Sequence, residues 1–312
     1  MDKQALNILS LLLEKDAAVP STAIASRHGI SSRATNKALA ELAREKLIVQ
    51  GRHFMDKSGE GYWRPTGKAH EIDLAAESTR IELAGIMNPF EKRHGQKNPG
   101  LDSDAARAFH EFVIRRYRPP ANKRYLIFFQ CSIGRPFWRS PSHGTIRRAI
   151  KTATGADAAQ QFHSCPAHVV VLASTIGPVP YDLQEIFPAN ISAGGVKHFG
   201  HEHYARVRPV LAQRMADYLS AHGSHYEHTA SFADGRYGEI LLEAGRLAGT
   251  KFPIYPRQRG ARIVSIKGSP PRTYWQRYWI QLHLEIVSWL DCRVRKEAEE
   301  RLRKAGVEWA RQ

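Results

Sequence analysis

The chain has little cysteine, few acidic residues and no long apolar run, and each shortage excludes a class of protein. The three cysteines, Cys131, Cys165 and Cys292, lie far apart without a Cys-x-x-Cys pair. That spacing disfavours a zinc ribbon, an iron–sulfur cluster and a disulfide framework, and it fits a reducing cytoplasm. No apolar run reaches membrane-spanning length, and acidic residues interrupt the apolar N-terminal stretch, so we expect neither a signal peptide nor a membrane anchor. We therefore predict a cytoplasmic monomer without a metal, another cofactor or a membrane partner.

The shortage of acidic residues leaves a strongly basic chain. Against 46 lysines and arginines there are 30 aspartates and glutamates, which gives a formal net charge of +16. Such an excess predicts a polyanionic partner, most simply nucleic acid, although a ribosomal or merely over-basic protein is an alternative. The excess is concentrated in residues 112–156, with ten basic residues and no acid, and in residues 251–277, with seven and none.

Residues 1–70 have the pattern of a winged helix-turn-helix domain. Apolar residues at helical spacing predict a helix over 3–14, a second short helix begins at Ser21, and Ser31 is placed to cap a third. Residues 48–64 follow as two short strands joined by a Gly-containing turn, which is the wing. In this layout the third helix enters a DNA groove, although a winged helix used for protein contacts is the alternative. The DNA contacts expected here are Ser32, Arg33, Asn36, Lys37 and Arg52.

From residue 108 the pattern changes to apolar strands that alternate with helices. The runs RYLIFFQ (124–130) and HVVVLAS (168–174) predict buried strands, and YEHTASF (226–232) predicts a third. The predicted fold class is α/β, with a central, mostly parallel sheet flanked by helices. Residues 71–107 form a helical connector and linker, with the domain boundary near 88–100. Residues 108–312 form the α/β domain, whose basic C-terminal extension ends in one long helix.

Three loops of this domain are expected to meet at a ligand site. Ligands of such sheets bind where loops leave the carboxyl ends of the strands. The candidate site is therefore the 131–143 loop beside the 174–185 loop, with the 229–237 segment nearby.

A motif in the first of these loops carries a family resemblance. The segments EFVIRRYRPP (111–120), CSIGRPFWRSPSH (131–143) and STIGPVPYDLQ (174–184) resemble the core domain of archaeosine synthase, which tailors a 7-deazaguanine base in archaeal tRNA. The family motif reads Pro-Cys, three residues, Lys-Pro-Tyr, two residues, Ser, two residues, His. The residues that match at the right spacing are Cys131, Pro136, Ser140 and His143. Arg135 replaces the lysine, Phe137 the tyrosine and Gln130 the proline. Arginine stays protonated and is a poor nucleophile, which argues against chemistry that needs a lysine amine.

The same core is similar to the uracil-DNA glycosylase superfamily, in which the loop after the first strand holds the base and a water. Joined to a winged helix, it resembles the DNA glycosylases of bacterial phage defence, which excise modified bases such as glucosylated hydroxymethylcytosine. The resemblance implies a DNA glycosylase that flips a modified base out of double-stranded phage DNA and leaves an abasic site.

The residue types of the candidate loops suit this chemistry. A departing base needs a hydrogen-bond donor, an oxocarbenium-like sugar needs a carboxylate, and an extruded base needs a stacking surface. The expected substrate-binding residues are Cys131, Ser132, Arg135, Phe137, Trp138, Ser140 and Ser174, and the expected catalytic residues are His143, Asp182 and Asp234. Several have a structural alternative: Trp138 and Cys131 as core residues, His143 and Asp182 as helix caps.

Basic residues near these loops and towards the C-terminus are expected to hold phosphates. Residues 251–277 interleave positive charge with aromatic residues, which is the composition of a base-stacking surface. The aromatic residues of this stretch are Phe252, Tyr255, Tyr274 and Trp275. The further DNA contacts expected are Arg139, Arg147, Arg257, Arg259, Arg262, Lys267 and Arg272.

Two other functions stay open beside the glycosylase. One is a tRNA base-tailoring enzyme like the archaeal family, and the other is a non-enzymatic DNA-binding regulator whose α/β domain senses a nucleotide-like ligand. The winged helix favours DNA over tRNA. The basic stretch beside the expected pocket weighs against a sensor, because a small ligand does not require it.

Overall fold

The computed structural model of the chain describes residues 1–15, 18–51, 62–70, 72–95, 99–191, 195–257, 262–266, 274–304 and 307–310. The chain divides into two compact units, Met1–Gly85 and Ile86–Gln312. Across the described ranges, we find no helix that is both long enough and apolar enough to cross a lipid bilayer.

The first unit packs helices on a small antiparallel sheet, in the order of a winged helix-turn-helix. The second helix, α2 (Ser21–His28), is followed by Gly29, whose φ of +59° suits glycine. The Oγ of Ser31 accepts a hydrogen bond from the Ala34 N–H at 3.3 Å and so caps the third helix. The sheet order is β1-β3-β2, with both pairs antiparallel. The elements are α1 (Lys3–Lys15), β1 (Val19–Pro20), α2 (Ser21–His28), α3 (Ser32–Arg44), β2 (Ile48–Gly51), β3 (Tyr62–Pro65) and α4 (Gly67–His70).

Leucines and isoleucines of this unit form one core. The inner faces of α1 and α3 contribute Leu9, Leu12, Leu39 and Leu42, all of them buried. The predicted winged-helix fold is confirmed in its helices and in the pairing of its strands. The predicted wing turn, residues 56–61, lies outside the described residues, and so does Arg52.

Helix α5 (Leu74–His94) follows and crosses part of the predicted linker. The prediction of a linker from residue 88 was wrong over 88–94, where the chain is helical despite Pro89. Contacts that composition does not reveal support this last turn. The Arg93 guanidinium lies 4.9 Å from the Phe90 ring centroid, and its Nε donates to the Pro89 carbonyl at 3.3 Å.

The second unit is built on a five-stranded, mostly parallel sheet, which confirms the predicted α/β class. Its order is β6-β5-β4-β7-β8, and only the edge strand β6 pairs antiparallel. The sequence did not predict β6, because a Gly-Pro-Val-Pro strand carries two prolines and is tolerated only at an edge. The strands are β4 (Tyr125–Gln130), β5 (Ala167–Ala173), β6 (Gly177–Pro180), β7 (His228–Phe232) and β8 (Ile254–Tyr255).

Helices cover both faces of this sheet. On one face, the Phe128 ring of β4 contacts the Tyr218 ring of α8 (His201–His222), with centroids 6.1 Å apart. On the other face, the ring of Tyr125, in the same strand, contacts that of Trp289 of α10 (Tyr274–Trp289), with centroids 5.4 Å apart. Helices α6 and α9 pack against α8, whereas α7 packs against α10 and α11. The helices are α6 (Asp104–Arg115), α7 (Pro141–Thr154), α8 (His201–His222), α9 (Gly235–Leu247), α10 (Tyr274–Trp289) and α11 (Cys292–Lys304).

The C-terminal segment differs from the single long helix predicted from sequence. It is divided into α10 and α11, because Asp291 starts a new helix by accepting a hydrogen bond from the Val294 N–H at 3.0 Å. Strand β9 (Arg262–Ile266) pairs antiparallel with β10 (Val307–Ala310).

Candidate functional site

The carboxyl ends of the parallel strands bring together side chains from three loops. Cys131 follows β4, Ser174 follows β5, and Tyr237 lies in the first turn of α9, after β7. The Ser174 hydroxyl donates to the Cys131 sulfur at 3.7 Å and lies 3.0 Å from the Tyr237 hydroxyl. Arg135 and Tyr237 lie close enough to that sulfur to interact with it electrostatically. We call Cys131, Arg135, Ser174 and Tyr237 the edge cluster.

The edge cluster is a set of hydrogen-bond donors in a largely dry setting. Ser174 and Cys131 are 2% and 7% exposed, and Tyr237 is buried. Burial raises the pKa of the Tyr237 phenol, and the nearby Cys131 raises it further. Burial lowers the pKa of the Arg135 guanidinium, which an arginine tolerates without losing its charge at neutral pH. The cluster therefore offers a neutral phenol and a cation side by side.

Asp234 lies at the same edge of the sheet as the cluster. Its backbone N–H donates to the side-chain Oε1 of Gln130, the last residue of β4, at 3.1 Å. The Asp234 carbonyl in turn accepts from the Tyr237 N–H at 3.1 Å. Asp234 is the residue before α9, half-buried, and its side chain makes no capping hydrogen bond. These backbone contacts place Asp234 at the edge of the sheet next to the first turn of α9, and its catalytic role stays a prediction.

A short segment before α8 closes one side of the cluster. The Val196 N–H donates to Ser174 Oγ at 3.1 Å, and Arg236 Nη1 donates to the Val196 carbonyl at 2.9 Å. The neighbouring Gly195 packs so tightly that an added Cβ would lie 2.7 Å from the Tyr237 hydroxyl oxygen. Only glycine allows this close approach, so any larger residue at 195 would displace Tyr237.

His143, predicted to be catalytic, is a buried structural residue. Its Nε2 lies 3.1 Å from the Gln130 carbonyl and its Nδ1 lies 2.6 Å from the Tyr181 hydroxyl. This geometry makes Nε2–H the donor and Nδ1 the acceptor. Burial lowers the pKa of His143 from 6.5 to about 3, against the smaller effect of the Gln130 carbonyl. A neutral imidazole that is 0% exposed cannot exchange protons with a substrate, so the prediction was wrong.

Two neighbours of His143, predicted to bind substrate, also have structural roles. Phe137 is 0% exposed and stacks between the Arg135 guanidinium, 3.9 Å from its centroid, and the His143 ring. A buried ring cannot stack on an extruded base. Ser140 is buried and caps α7 by accepting from the His143 N–H at 3.3 Å.

Trp138 and Ser132, which were also predicted to bind substrate, differ in their contacts with the loop that carries the edge cluster. The half-buried Trp138 indole donates from Nε1 to Glu185 at 3.4 Å and lies under the guanidinium of Arg139, 5.0 Å from its centroid. None of the contacts described for Trp138 involves the edge cluster. Ser132 is half-buried, and its carbonyl accepts a hydrogen bond from Arg135 Nη1, which places it in the loop that carries the cluster.

Asp182, predicted to converge with the 131–143 loop, lies at the opposite end of the strands. It accepts from the Tyr117 hydroxyl at 3.1 Å and lies 3.4 Å from Nε2 of His168, whose residue pairs with Leu126 at the start of β4. Leu126 and Gln130 are four residues apart, or about 13 Å along a strand. The cause is β6, which runs antiparallel and returns the chain to the amino edge. The expected convergence was therefore wrong.

The predicted DNA contacts divide into three groups. On α3, Ser32, Arg33, Asn36 and Lys37 are all exposed, as are Arg139 and Arg257 in the second unit. Arg147 is not available, because Nε and Nη2 bind the Asp157 carboxylate at 2.8 and 2.7 Å and Nη1 donates to the Trp138 carbonyl. Arg259, Lys267 and Arg272 lie outside the described residues, and only the backbone of Arg262 is described.

The aromatic residues of 251–277 that are described with side chains pack inward. Tyr255 is buried and donates from its hydroxyl to Glu285 at 2.6 Å. The Phe252 ring lies 5.7 Å from that of Phe128, on the face of the sheet covered by α8. The predicted stacking surface does not include these two residues. Tyr274 and Trp275 begin α10, but their side chains are not described.

Sequence reasoning missed Tyr237 and the role of Gln130. The signal for both was their position relative to a predicted strand. Gln130 is the last residue of β4, and Tyr237 lies five residues beyond β7. The rule that pointed to Asp234 applies equally to the first turn of the helix that follows it. Among the residues with described positions, no group of three His, Cys, Asp or Glu side chains is placed to hold a metal ion.

Comparisons with known proteins cover parts of both units. A domain family of unknown function, DUF5591, matches residues 106–254. The chain is 30% identical over 146 residues to archaeosine synthase subunit alpha of Thermococcus kodakarensis. The match covers 45% of this chain and 22% of that protein. The solved structure of a cysteine-to-serine mutant of Lactococcus lactis ZitR matches 29% of this chain and 60% of its own at 26% identity, with a TM-score of 0.21. The solved structure of AF0587, a protein of unknown function, matches 65% of this chain and 58% of its own chain at 13% identity, with a TM-score of 0.37.

Proposed function

We propose that this protein is an enzyme that acts on a base within nucleic acid, and that the edge cluster with Asp234 is its active site. The observation that carries the proposal is the position of that site. Cys131, Arg135, Ser174, Asp234 and Tyr237 all lie at the carboxyl edge, where α/β sheets bind ligands, and all fall in residues 106–254. The similarity over 146 residues to a protein named archaeosine synthase subunit alpha supports a modified nucleobase as substrate.

DNA is the nucleic acid that the first unit favours. The N-terminal half of α3 exposes four polar or basic side chains, which is where a helix-turn-helix contacts DNA. The net charge of +16 supplies the attraction to phosphates. The side chains concerned are Ser32, Arg33, Asn36 and Lys37.

The reaction we propose is hydrolysis of the N-glycosidic bond of a modified base, such as a glucosylated hydroxymethylcytosine of phage DNA. Asp234 orients a water molecule towards C1′ of the sugar and takes a proton from it as the C1′–O bond forms. The C1′–N bond breaks, and its electron pair leaves with the base, which then takes up a proton. Arg135 and the neutral phenol of Tyr237 are the donors that stabilise the charge on the departing base.

Tailoring of a 7-deazaguanine base in tRNA is the second candidate, and it is favoured by the 30% identity to the archaeal subunit. Arg135 stands where the archaeosine synthase motif has a lysine. A guanidinium is a poor nucleophile, so a reaction through a lysine amine does not suit this chain. The carboxylate of Asp234 suits activation of a water molecule instead.

Substitution of Asp234 tests the proposal. We expect Asp234→Asn to lower base release from modified DNA at least about tenfold, equivalent to about 1.4 kcal/mol in the barrier. DNA affinity should stay the same, because phosphate contacts elsewhere dominate it. Glu202→Gln, an exposed acid in the first turn of α8, is the matched control and should behave as wild type. Full activity of Asp234→Asn would contradict the assignment of this site.

A further inference from the structure

Ile133 is a large apolar side chain held out into solvent beside the proposed active site. It is 78% exposed, more than Leu242, Leu247 and Val49, the other exposed large apolar residues of the described chain. A single exposed isoleucine needs no explanation by itself. The position of Ile133 needs an explanation, because Cys131 precedes it by two residues and Arg135 follows it by two, and both belong to the edge cluster.

The loop that carries Ile133 is braced rather than free. Arg135 Nη1 donates to the carbonyls of both Ser132 and Gly134, the latter at 3.0 Å, so its guanidinium ties the backbone on both sides of Ile133. The Gly134 backbone packs so closely that an added Cβ would lie 3.3 Å from the Cβ of Ser140. Ile133 is therefore presented at the tip of a loop fixed by the residues that build the site.

An enzyme that acts on a paired base can use an exposed apolar side chain to open the base stack. The base must leave the stack to reach a site inside the protein, and the gap it leaves costs stacking energy. Proteins that open a duplex insert apolar side chains, isoleucine among them, between base steps. The loop lies in residues 112–156, which carry ten basic residues and no acid and so favour close approach to phosphates.

We propose that Ile133 is the wedge that enters the stack of duplex DNA and holds the target base in the edge cluster. This inference rests on the proposed function, since it supposes that the edge cluster receives a base. It adds that one residue outside the reacting groups controls the use of duplex substrate. Ile133 acts on the duplex and is a positioning residue, not a catalytic one.

The test compares Ile133→Ala with wild type on paired and unpaired substrates. The probe is duplex DNA with 2-aminopurine beside one glucosylated hydroxymethylcytosine, because 2-aminopurine fluoresces more strongly when it is unstacked. We expect wild type to raise the fluorescence on binding and Ile133→Ala to lose at least about four-fifths of that rise. Base release by the variant should fall at least about tenfold on the duplex and stay within about twofold on the single strand.

Two further variants make the comparison specific. Ile133→Leu keeps an apolar wedge and should restore both the fluorescence rise and duplex activity. Leu242→Ala removes an exposed leucine, 69% exposed on α9, and should match wild type in every measurement.

The proposal is overturned by any of three results: no fluorescence rise with wild type, an equal rise with Ile133→Ala, or an equal loss of activity on single and double strands. Base release by wild type from single-stranded DNA tests the proposed reaction separately. If wild type releases no base from either single-stranded or duplex DNA while the fluorescence rise still depends on Ile133, the glycosylase assignment fails and the wedge stands.

Discussion

Replacing His143 with glutamine should make the free energy of unfolding depend less strongly on pH below neutrality. Burial lowers the pKa of His143 from 6.5 to about 3. Between these two pH values the unfolded chain binds a proton at His143 and the folded protein does not. Stability from this residue is complete above pH 6.5 and is lost as the pH falls from there towards 3. Between pH 7 and pH 5 the loss amounts to about 2 kcal/mol. At pH 7 the substitution itself should cost about 1–3 kcal/mol, because Tyr181 and the Gln130 carbonyl lose a buried partner.

Urea unfolding of the full chain at pH 7, 6 and 5, followed by tryptophan fluorescence, measures this effect. Other buried histidines also have lowered pKa values, so the informative quantity is the difference between variant and wild type. That difference should shrink by about 2 kcal/mol from pH 7 to pH 5. His203→Gln, at an exposed position on α8, should follow the wild-type curve. Parallel curves for His143→Gln and wild type would refute the reasoning.

Three further predictions concern residues whose roles the structure separates. Arg147→Met should destabilise the protein by roughly 3 kcal/mol in urea unfolding without changing DNA affinity, because it leaves the Asp157 carboxylate, 8% exposed, without its cation; a weaker affinity at full stability would restore Arg147 to the DNA contacts. Arg33→Gln with Lys37→Gln should reduce the log–log salt slope of DNA binding by about 0.9 for each phosphate that is no longer neutralised, and an unchanged slope would remove α3 from the interface. Asp182→Asn should lower the unfolding temperature but keep kcat within about twofold, since its partners lie at the amino edge of the sheet; a loss of kcat without a loss of stability would contradict that placement.

Much of the sheet could be predicted from apolar runs. Strands β4 and β5 are nearly continuous apolar segments. The location of ligand sites at carboxyl edges then selected the segments that contain Cys131, Ser174 and Asp234. These assignments depend only on the order of elements along the chain. The structure agrees with them for that reason.

The direction of a side chain and the return of a strand could not be predicted in the same way. His143 shares the loop motif with Cys131 but lies on the first turns of α7, where it faces the sheet instead of the edge. Asp182 follows β6, whose composition did not indicate a strand, and the antiparallel pairing of β6 moved it away from the site. Both errors came from tertiary packing, which spacing along the sequence does not encode.

We propose that the carboxyl edge of the α/β unit releases a base from modified DNA. The most direct measurement is mass spectrometry of the small-molecule fraction after incubation with duplex DNA that carries glucosylated hydroxymethylcytosine, with the alkali-labile sites in the DNA counted in parallel. We expect a free modified base and an equal number of abasic sites with wild type, and neither with Asp234→Asn. An unchanged DNA together with an altered 7-deazaguanine base in tRNA would contradict this proposal.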